Sequence, residues 1–330
     1  MQSAYLIATS EGFFELLELT LAHGADVDAK DSFNGTGLIR AADRGHADIA
    51  GRVVRAGVDV DHVNNLGWTA LHEAVTLGDG SQRYVDTVRV LVAAGANVRQ
   101  RSSRDGATPL SYARSKGFDR VATVLQAALD ADRPSRRQAN QRLLAAAEAG
   151  DATAAAMAVR AGADLETRDG RGRTPLLLAV TVNKLAVAKL SVYLGADPDA
   201  LDDRHDTPWL VTGVTGSVEM AEVLLPARPD LTIRNRFGGV SLIPASERGH
   251  VAYVRRVVRT DIDVNHVNDL GWTALLEAVI LGDGSMRYQE IVAILLKAGA
   301  DRNLPDRNGV TAIDHARRRG HTSIVDILTS

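Results

Sequence analysis

Two segments of the sequence carry histidine and carboxylate residues at the same spacing, and these residue types serve acid–base catalysis and metal binding. The two sets are His62, Glu73 and Asp79, and His266, Glu277 and Asp283. Both histidines begin the phrase His-Val-Asn-x-Leu-Gly-Trp-Thr-Ala-Leu-x-Glu-Ala-Val-x-Leu-Gly-Asp-Gly-Ser-x-Arg-Tyr. Catalysis or metal binding would require the three side chains of a set to converge, and spacing along the chain does not establish that.

Composition and motifs argue against most other chemistry. The chain has no cysteine, which excludes disulfides, thiolate metal sites and cysteine nucleophiles. It has no phosphate-binding loop, dinucleotide fingerprint, His-Glu-x-x-His or nucleophile elbow in a fitting context. The Asp-Gly-Ser turns have too few ligands for a calcium loop. We therefore expect no catalytic residue, cofactor or metal, and we predict that the chain is not an enzyme.

Charge and hydropathy restrict the partners and the location. The net charge of −3 provides no general basic field for nucleic acid. No stretch approaches the ~18 apolar residues of a membrane span, and the N-terminus lacks the basic and apolar regions of a signal peptide. We expect a cytoplasmic monomer that binds neither nucleic acid nor membrane.

The elements that must position these residues are short repeats. The phrase Gly-Ala-Asp-Val-Asp at 24–28 returns with variations at 57–61, 95–98, 162–165, 195–198 and 299–301. A second phrase, typified by Thr174-Pro175-Leu176, falls between these copies. Threonine before proline places a hydroxyl at a helix N-cap and a preset φ angle in the first turn. Glycine tolerates the left-handed conformation that ends a helix. The period of about 33 residues thus predicts about ten pairs of helices joined by polar loops.

These phrases resemble those of ankyrin-repeat proteins over nearly the whole chain, and the abundance of Ala, Asp, Arg and Val favours a bacterial member. The resemblance implies an all-α solenoid of stacked helix-turn-helix pairs with projecting β-hairpin loops. Aromatic residues are only 4% of the chain, so Ala, Leu and Val must build closely packed helix pairs. One unit cannot bury its own apolar face, so neighbouring units must stack.

Two higher-order features suggest how the repeats are organised. Residues 133–137 lack both phrases, which predicts an array over 1–132 and a second over 138–330, with one continuous solenoid as the alternative. Residues 59–84 and 263–288 share 21 of 26 positions at a constant offset. The last four repeats therefore resemble a copy of the first four.

Candidate contact residues lie at corresponding places in the two copies. Asp-Gly-Ser turns sit in insertions of about five residues at 79–84 and 283–288, which we expect to lengthen the loop between two helices. In ankyrin proteins, the positions before the helix-starting threonine and before the first helix's terminal glycine commonly contact partners. The candidates are Phe33, Trp68, Leu77, Arg83, Tyr84, Phe237, Trp272, Ile280, Leu281, Arg287 and Tyr288. The alternative for the aromatic and arginine residues is local packing against an adjoining repeat.

The resemblance implies recognition of another protein through the concave groove and the hairpin loops. Two alternatives remain. One is a small-molecule or enzymatic pocket between the arrays, around His62, His266 and the inserts. The other is a structural spacer with no binding role.

Overall fold

The computed structural model describes residues 2–330 and shows the predicted all-α architecture. Over residues 2–330, twenty α-helices form ten successive pairs, which matches the number of repeats expected from the sequence. A short 3₁₀ helix, Leu225–Ala227, follows the fourteenth helix. In chain order the helices are α1 Gln2–Glu11, α2 Phe14–Ala22, α3 Gly37–Arg44, α4 Ala47–Arg55, α5 Ala70–Thr76, α6 Gln82–Ala93, α7 Pro109–Ser115, α8 Asp119–Asp130, α9 Arg136–Ala149, α10 Ala152–Arg160, α11 Pro175–Thr181, α12 Leu185–Leu194, α13 Pro208–Thr215, α14 Val218–Leu224, α15 Leu242–Glu247, α16 Val251–Val257, α17 Ala274–Ile280, α18 Met286–Lys297, α19 Ala312–Arg318 and α20 Thr322–Thr329.

The repeated phrases supply the helix ends. Thr207 precedes Pro208, and its hydroxyl accepts a hydrogen bond from the backbone N–H of Leu210. The same helix ends at Gly216, whose φ of 70° is the left-handed conformation that glycine adopts at little cost. Local sequence therefore sets both ends of the first helix in this pair.

Stacking of like helices builds the core. First helices contact first helices, as in the series α11, α13, α15, α17 and α19, and second helices do the same from α14 through α20. Ala41 and Ala42 are fully buried, as expected for small residues that let helix backbones approach closely. The pairs in these series thus bury their apolar faces against their neighbours.

The chain forms two compact units. The first comprises the residues through Thr167 together with Lys189–Ala196, and the second comprises Arg168–Ala188 together with Asp197–Ser330. Within the first unit, α10 packs against α6 and α9. At the segment predicted to join two arrays, α8 ends at Asp130 and α9 begins at Arg136. The division into arrays at 133–137 stays a prediction.

The connecting loops are hairpin tips without β-strands. Over residues 2–330, the single isolated bridge joins Lys30 and Thr36. A typical tip closes with two backbone hydrogen bonds, such as those from Asn235 N to Gly239 O and from Gly238 N to Asn235 O, both at 2.9 Å. Neighbouring tips are linked in the same way, as in the 3.0 Å bond from Asp269 N to Phe237 O. The tips are too short for a ladder, so a few isolated hydrogen bonds replace the strands of a longer hairpin.

Candidate functional site

The insert tyrosines belong to the packing between neighbouring repeats. Tyr84 and Tyr288 are buried. The Tyr84 hydroxyl donates to the backbone oxygen of Asp43, and Tyr288 donates likewise to Glu247, both at 2.9 Å. Because these hydroxyls and rings face the adjoining repeat, the tyrosines cannot present a surface to a partner. Tyr84 and Tyr288 therefore pack locally against an adjoining repeat, which is the alternative stated for them in the sequence analysis.

The arginines before these tyrosines remain exposed but rest on the same rings. The guanidinium carbon of Arg83 lies 4.9 Å from the ring centre of Tyr84, and Arg287 and Tyr288 repeat this geometry at the same distance. Such stacking holds a guanidinium over an aromatic face. The two guanidinium groups therefore cover the tyrosine rings, and each is also paired with the aspartate four residues before it.

The inserts lengthen a helix as well as a loop. The expected loop segment 79–84 runs into α6, which begins at Gln82, and the segment 283–288 runs into α18, which begins at Met286. Both helices have 12 residues, whereas α16 has 7. The expectation of a longer loop was thus only partly right. Apolar residues after the turn, such as Val85 and Ile291, are buried and extend the helix instead.

The tryptophans and Ile280 are less available than the sequence suggested. Trp68 is buried, and its ring meets Tyr112 edge to face at 6.4 Å. Trp272 and Ile280 are half-buried. Trp68 therefore packs inside its own unit, and the other two side chains are only partly accessible.

Four of the predicted contact residues are apolar and exposed. Phe33 and Leu77 are 57% and 52% exposed, and Phe237 and Leu281 are 57% and 48% exposed. The sequence reasoning missed Leu270, which is also exposed. Its position in a hairpin tip, two residues before Trp272, could have indicated that it is exposed.

In the second unit, Phe237, Leu270 and Leu281 rim an open groove of about 450 Å³. Phe237 and Leu270 come from the hairpin tips, and Leu281 comes from the end of α17. Ile243 and Pro244 of α15 line the groove between them. Neither Trp272 nor Ile280 belongs to the lining.

A buried carboxyl group lies in this groove. Glu277 lines the groove although only 4% of the residue is exposed. Its Oε1 accepts a 2.8 Å hydrogen bond from the side-chain amide of Asn268. The Oδ1 of Asn268 in turn accepts from the backbone N–H groups of Leu270 and Trp272. The asparagine in the repeated phrase therefore closes the hairpin tip and anchors the glutamate nine residues later.

The environment of Glu277 favours its protonated form. Burial, followed by the nearby Glu247 carboxylate, raises its pKa from 4.5 to about 7, while the Asn268 hydrogen bond acts in the opposite direction. The corresponding Glu73 is also buried and is held by Asn64 at 2.6 Å. Burial raises the pKa of Glu73 to about 7 as well. Each copy thus contains a carboxyl group that titrates near neutral pH.

The acid–base sets suggested by the sequence do not assemble. The His62 ring is hydrogen-bonded to the backbone oxygen of Asn34 at 2.8 Å, and the His266 ring to that of Gly238 at 2.7 Å. Asp79 and Asp283 lie beyond the far ends of α5 and α17 and cap their own turns through Ser81 and Ser285. Within residues 2–330, no three His, Asp or Glu side chains are placed to hold a metal ion. No helix of this described part is long and apolar enough to cross a membrane.

Comparisons with known proteins agree with this architecture. The family profile described as "Ankyrin repeats (3 copies)" matches residues 5–102, 209–306 and 242–330. The ankyrin repeat protein YahD of Escherichia coli (strain K12) is 38% identical over 186 residues, which cover 56% of this chain and 92% of YahD.

Two solved structures show the same repeats. An ankyrin repeat domain from Acinetobacter baumannii AYE is 43% identical, with a TM-score of 0.55, over 57% of this chain and 95% of that domain. A second solved ankyrin repeat protein is 37% identical, with a TM-score of 0.56, over 58% of this chain and 98% of its own. Ankyrin repeats generally mediate protein–protein interactions and are typically not enzymatic. The stacked helix pairs, the repeated phrases and these similarities show that the chain belongs to the ankyrin repeat family.

Proposed function

We propose that this protein is a non-catalytic binding module that holds a partner protein in the groove of its second unit. The observation that carries the proposal is the open groove rimmed by exposed Phe237, Leu270 and Leu281. Apolar side chains around a depression are typical of protein contact sites. The tip that presents Phe237 is tied to the next tip by the hydrogen bond from Asp269 N to Phe237 O, so little conformational freedom is lost on binding.

The groove also has the polar groups that give an interface specificity. The carboxyl groups of Glu247 and Glu277 lie beside the apolar rim, and Arg204 and Arg236 lie near Asp206. A mixed apolar and charged surface of this kind suits a protein partner. The catalytic alternative is less well supported, because the rings of His62 and His266 are hydrogen-bonded to backbone oxygens of their own units.

The experiment is affinity capture with the full chain and two variants. Phe237→Ala combined with Leu281→Ala removes two exposed rim side chains, whereas Met286→Ala removes an 83% exposed side chain outside the groove. We expect a specific partner to be retained by the wild type and by Met286→Ala. Its affinity for the double variant should fall by more than about 1 kcal/mol, as hot-spot truncations do.

Binding that is equal for all three proteins would refute the groove as the contact surface. Circular dichroism of each variant distinguishes lost contact from lost fold. If no groove substitution affects any interaction, the spacer alternative gains support.

A further inference from the structure

The segment between α8 and α9 interrupts the regular stacking of the first unit. Gly95, with a φ of 93°, turns the chain after α6, whereas α8 runs to Asp130 and is followed by Ala131 in an extended conformation. Beyond this segment, α10 packs against α6 and α9 and contacts α8 less extensively. The end of α8 is therefore only partly covered by the next helix pair.

A pocket of about 510 Å³ opens beside this helix end. It lies between the loop after α6, the last turn of α8, the segment that joins α8 to α9, and the last turn of α10. Apolar side chains, among them Val98 and Met157, form part of its wall, and three arginines also line it: Arg99, Arg133 and Arg160. The volume lies within the range of roughly 300–1,000 Å³ that is typical of small-molecule sites.

Two of these arginines are held in place by backbone oxygens at helix ends. Arg99 donates through one nitrogen to Leu129 O at 2.9 Å. Arg160 donates through one nitrogen to Val92 O and Ala96 O, both at 2.9 Å. These bonds offset the partial negative charge of the helix ends, which would otherwise disfavour an anion. The remaining guanidinium nitrogens make no hydrogen bond to any described residue, so they can donate to a ligand.

The positive charge of the pocket is not balanced by its own carboxylates. Asp132 is the one acidic residue in the described lining, and it already accepts from both terminal nitrogens of Arg142, at 2.5 and 2.8 Å. The ion pairs of the first unit involve other arginines, so the three arginines of the described lining have none. Burial lowers the pKa of Arg160, and the Asp61 carboxylate, which lies outside the lining, acts against this. Three guanidinium groups therefore meet only one carboxylate in the pocket.

We propose that this pocket binds the phosphate group of a small organic phosphate. A phosphate monoester carries close to two negative charges at neutral pH, which suits three guanidinium groups beside one carboxylate. Each guanidinium can donate two parallel hydrogen bonds to phosphate oxygens. The apolar part of the wall then contacts the organic substituent, which inorganic phosphate lacks. The site lies within the first unit and is separate from the groove proposed to hold a partner protein.

The test uses phenyl phosphate as the probe, with inorganic phosphate and phenol as its two halves. Affinities for the full-length protein are measured by isothermal titration calorimetry near neutral pH in a phosphate-free buffer of low ionic strength. We expect phenyl phosphate to bind at millimolar concentration or below. It should bind roughly tenfold more tightly than inorganic phosphate, because the ring buries apolar surface. Phenol should show no measurable binding, because it lacks the charged group.

Four variants locate the site. Arg133→Gln removes an exposed side chain that forms no ion pair in the described chain, so the fold should persist while the affinity for phenyl phosphate falls roughly tenfold. Arg160→Gln should cause a similar fall, with circular dichroism to check the fold because Arg160 also binds the end of α6. Arg137→Gln makes the same change of charge outside the lining and should bind as the wild type. Asp132→Asn removes the carboxylate of the lining and should tighten binding, which a loss of fold cannot imitate.

Absence of phenyl phosphate binding at millimolar concentration overturns the inference. Affinities that are unchanged in Arg133→Gln and Arg160→Gln overturn it as well, as does an equal loss in Arg133→Gln and Arg137→Gln, which would reflect net charge alone. Inorganic phosphate that binds as tightly as phenyl phosphate overturns the assignment to an organic phosphate. The Phe237→Ala and Leu281→Ala double variant should bind phenyl phosphate as the wild type does, so this site and the proposed protein-binding groove can fail separately.

Discussion

Replacing Glu277 by glutamine should stabilise the protein in a pH-dependent manner. Burial and the Glu247 carboxylate raise the pKa of Glu277 from 4.5 to about 7. Between these two pH values the folded state keeps a proton that the unfolded chain has released. The stability contributed by Glu277 is therefore complete below about pH 4.5, falls as the pH rises through the window and reaches its minimum above about pH 7. Glutamine is neutral throughout and accepts the same hydrogen bond from Asn268.

The magnitude follows from the distance between the two pKa values. One pH unit corresponds to about 1.4 kcal/mol, so the difference between 4.5 and about 7 gives at most about 3 kcal/mol. Relaxation of the groove and entry of water around the charged carboxylate would reduce this value. Glu277→Gln should accordingly match the wild type near pH 4.5 and be more stable by up to about 3 kcal/mol near pH 8.

The assay is urea unfolding followed by far-UV circular dichroism, repeated across this pH range at constant ionic strength. The difference between wild type and variant removes the parallel contribution of Glu73. As a control, Glu247→Gln should lower the pKa of Glu277, because it removes the neighbouring carboxylate. Carbon-13 NMR of the glutamate carboxyl groups measures that pKa directly. A stability difference that does not change with pH, or a carboxyl group that titrates near 4.5, would refute the reasoning.

Three further substitutions test how the groove is held. Tyr288→Phe removes the hydroxyl that donates to Glu247 O at 2.9 Å and should cost about 1 kcal/mol in thermal unfolding, whereas an unchanged midpoint would contradict a structural role. Thr273→Ala removes the N-cap that accepts from Leu276 N and should cost about 1 kcal/mol in urea unfolding; no loss would mean that packing alone sets the start of α17. Gly213→Ala would place a Cβ 2.0 Å from the backbone oxygen of Ser241, so we expect destabilisation by roughly 1–3 kcal/mol despite the higher helix propensity of alanine. A more stable Gly213→Ala variant would show that α13 and α15 are less closely packed.

Much of the fold could be predicted because its signals are local and repeated. Threonine caps and glycine ends recur in most repeats, and the ten expected units correspond to ten helix pairs over residues 2–330. The structure of the inserts was more difficult to predict. The turn formers Asp79 and Gly80 indicate where a loop begins but not where the next helix begins. The start of that helix depends on the packing of Val85 and its apolar neighbours.

The exposure of the candidate contact residues could be predicted only in part, and their contact with a partner stays a prediction. Phe33, Leu77, Phe237 and Leu281 are exposed as expected, whereas Trp68, Tyr84 and Tyr288 are buried in their own units. Residue type alone does not separate these groups, since aromatic side chains serve interfaces and cores equally well. The neighbouring repeat decides which of them retains an open face.

The sequence by itself determined the duplication, which is a match of residue types, and the helix ends, which depend on interactions between residues only a few positions apart. The tertiary structure decided which side chains line the groove and that Glu277 is buried there beside Glu247. Exposure and carboxyl pKa depend on atoms contributed by separate repeats. Spacing along the chain does not specify how those repeats approach one another.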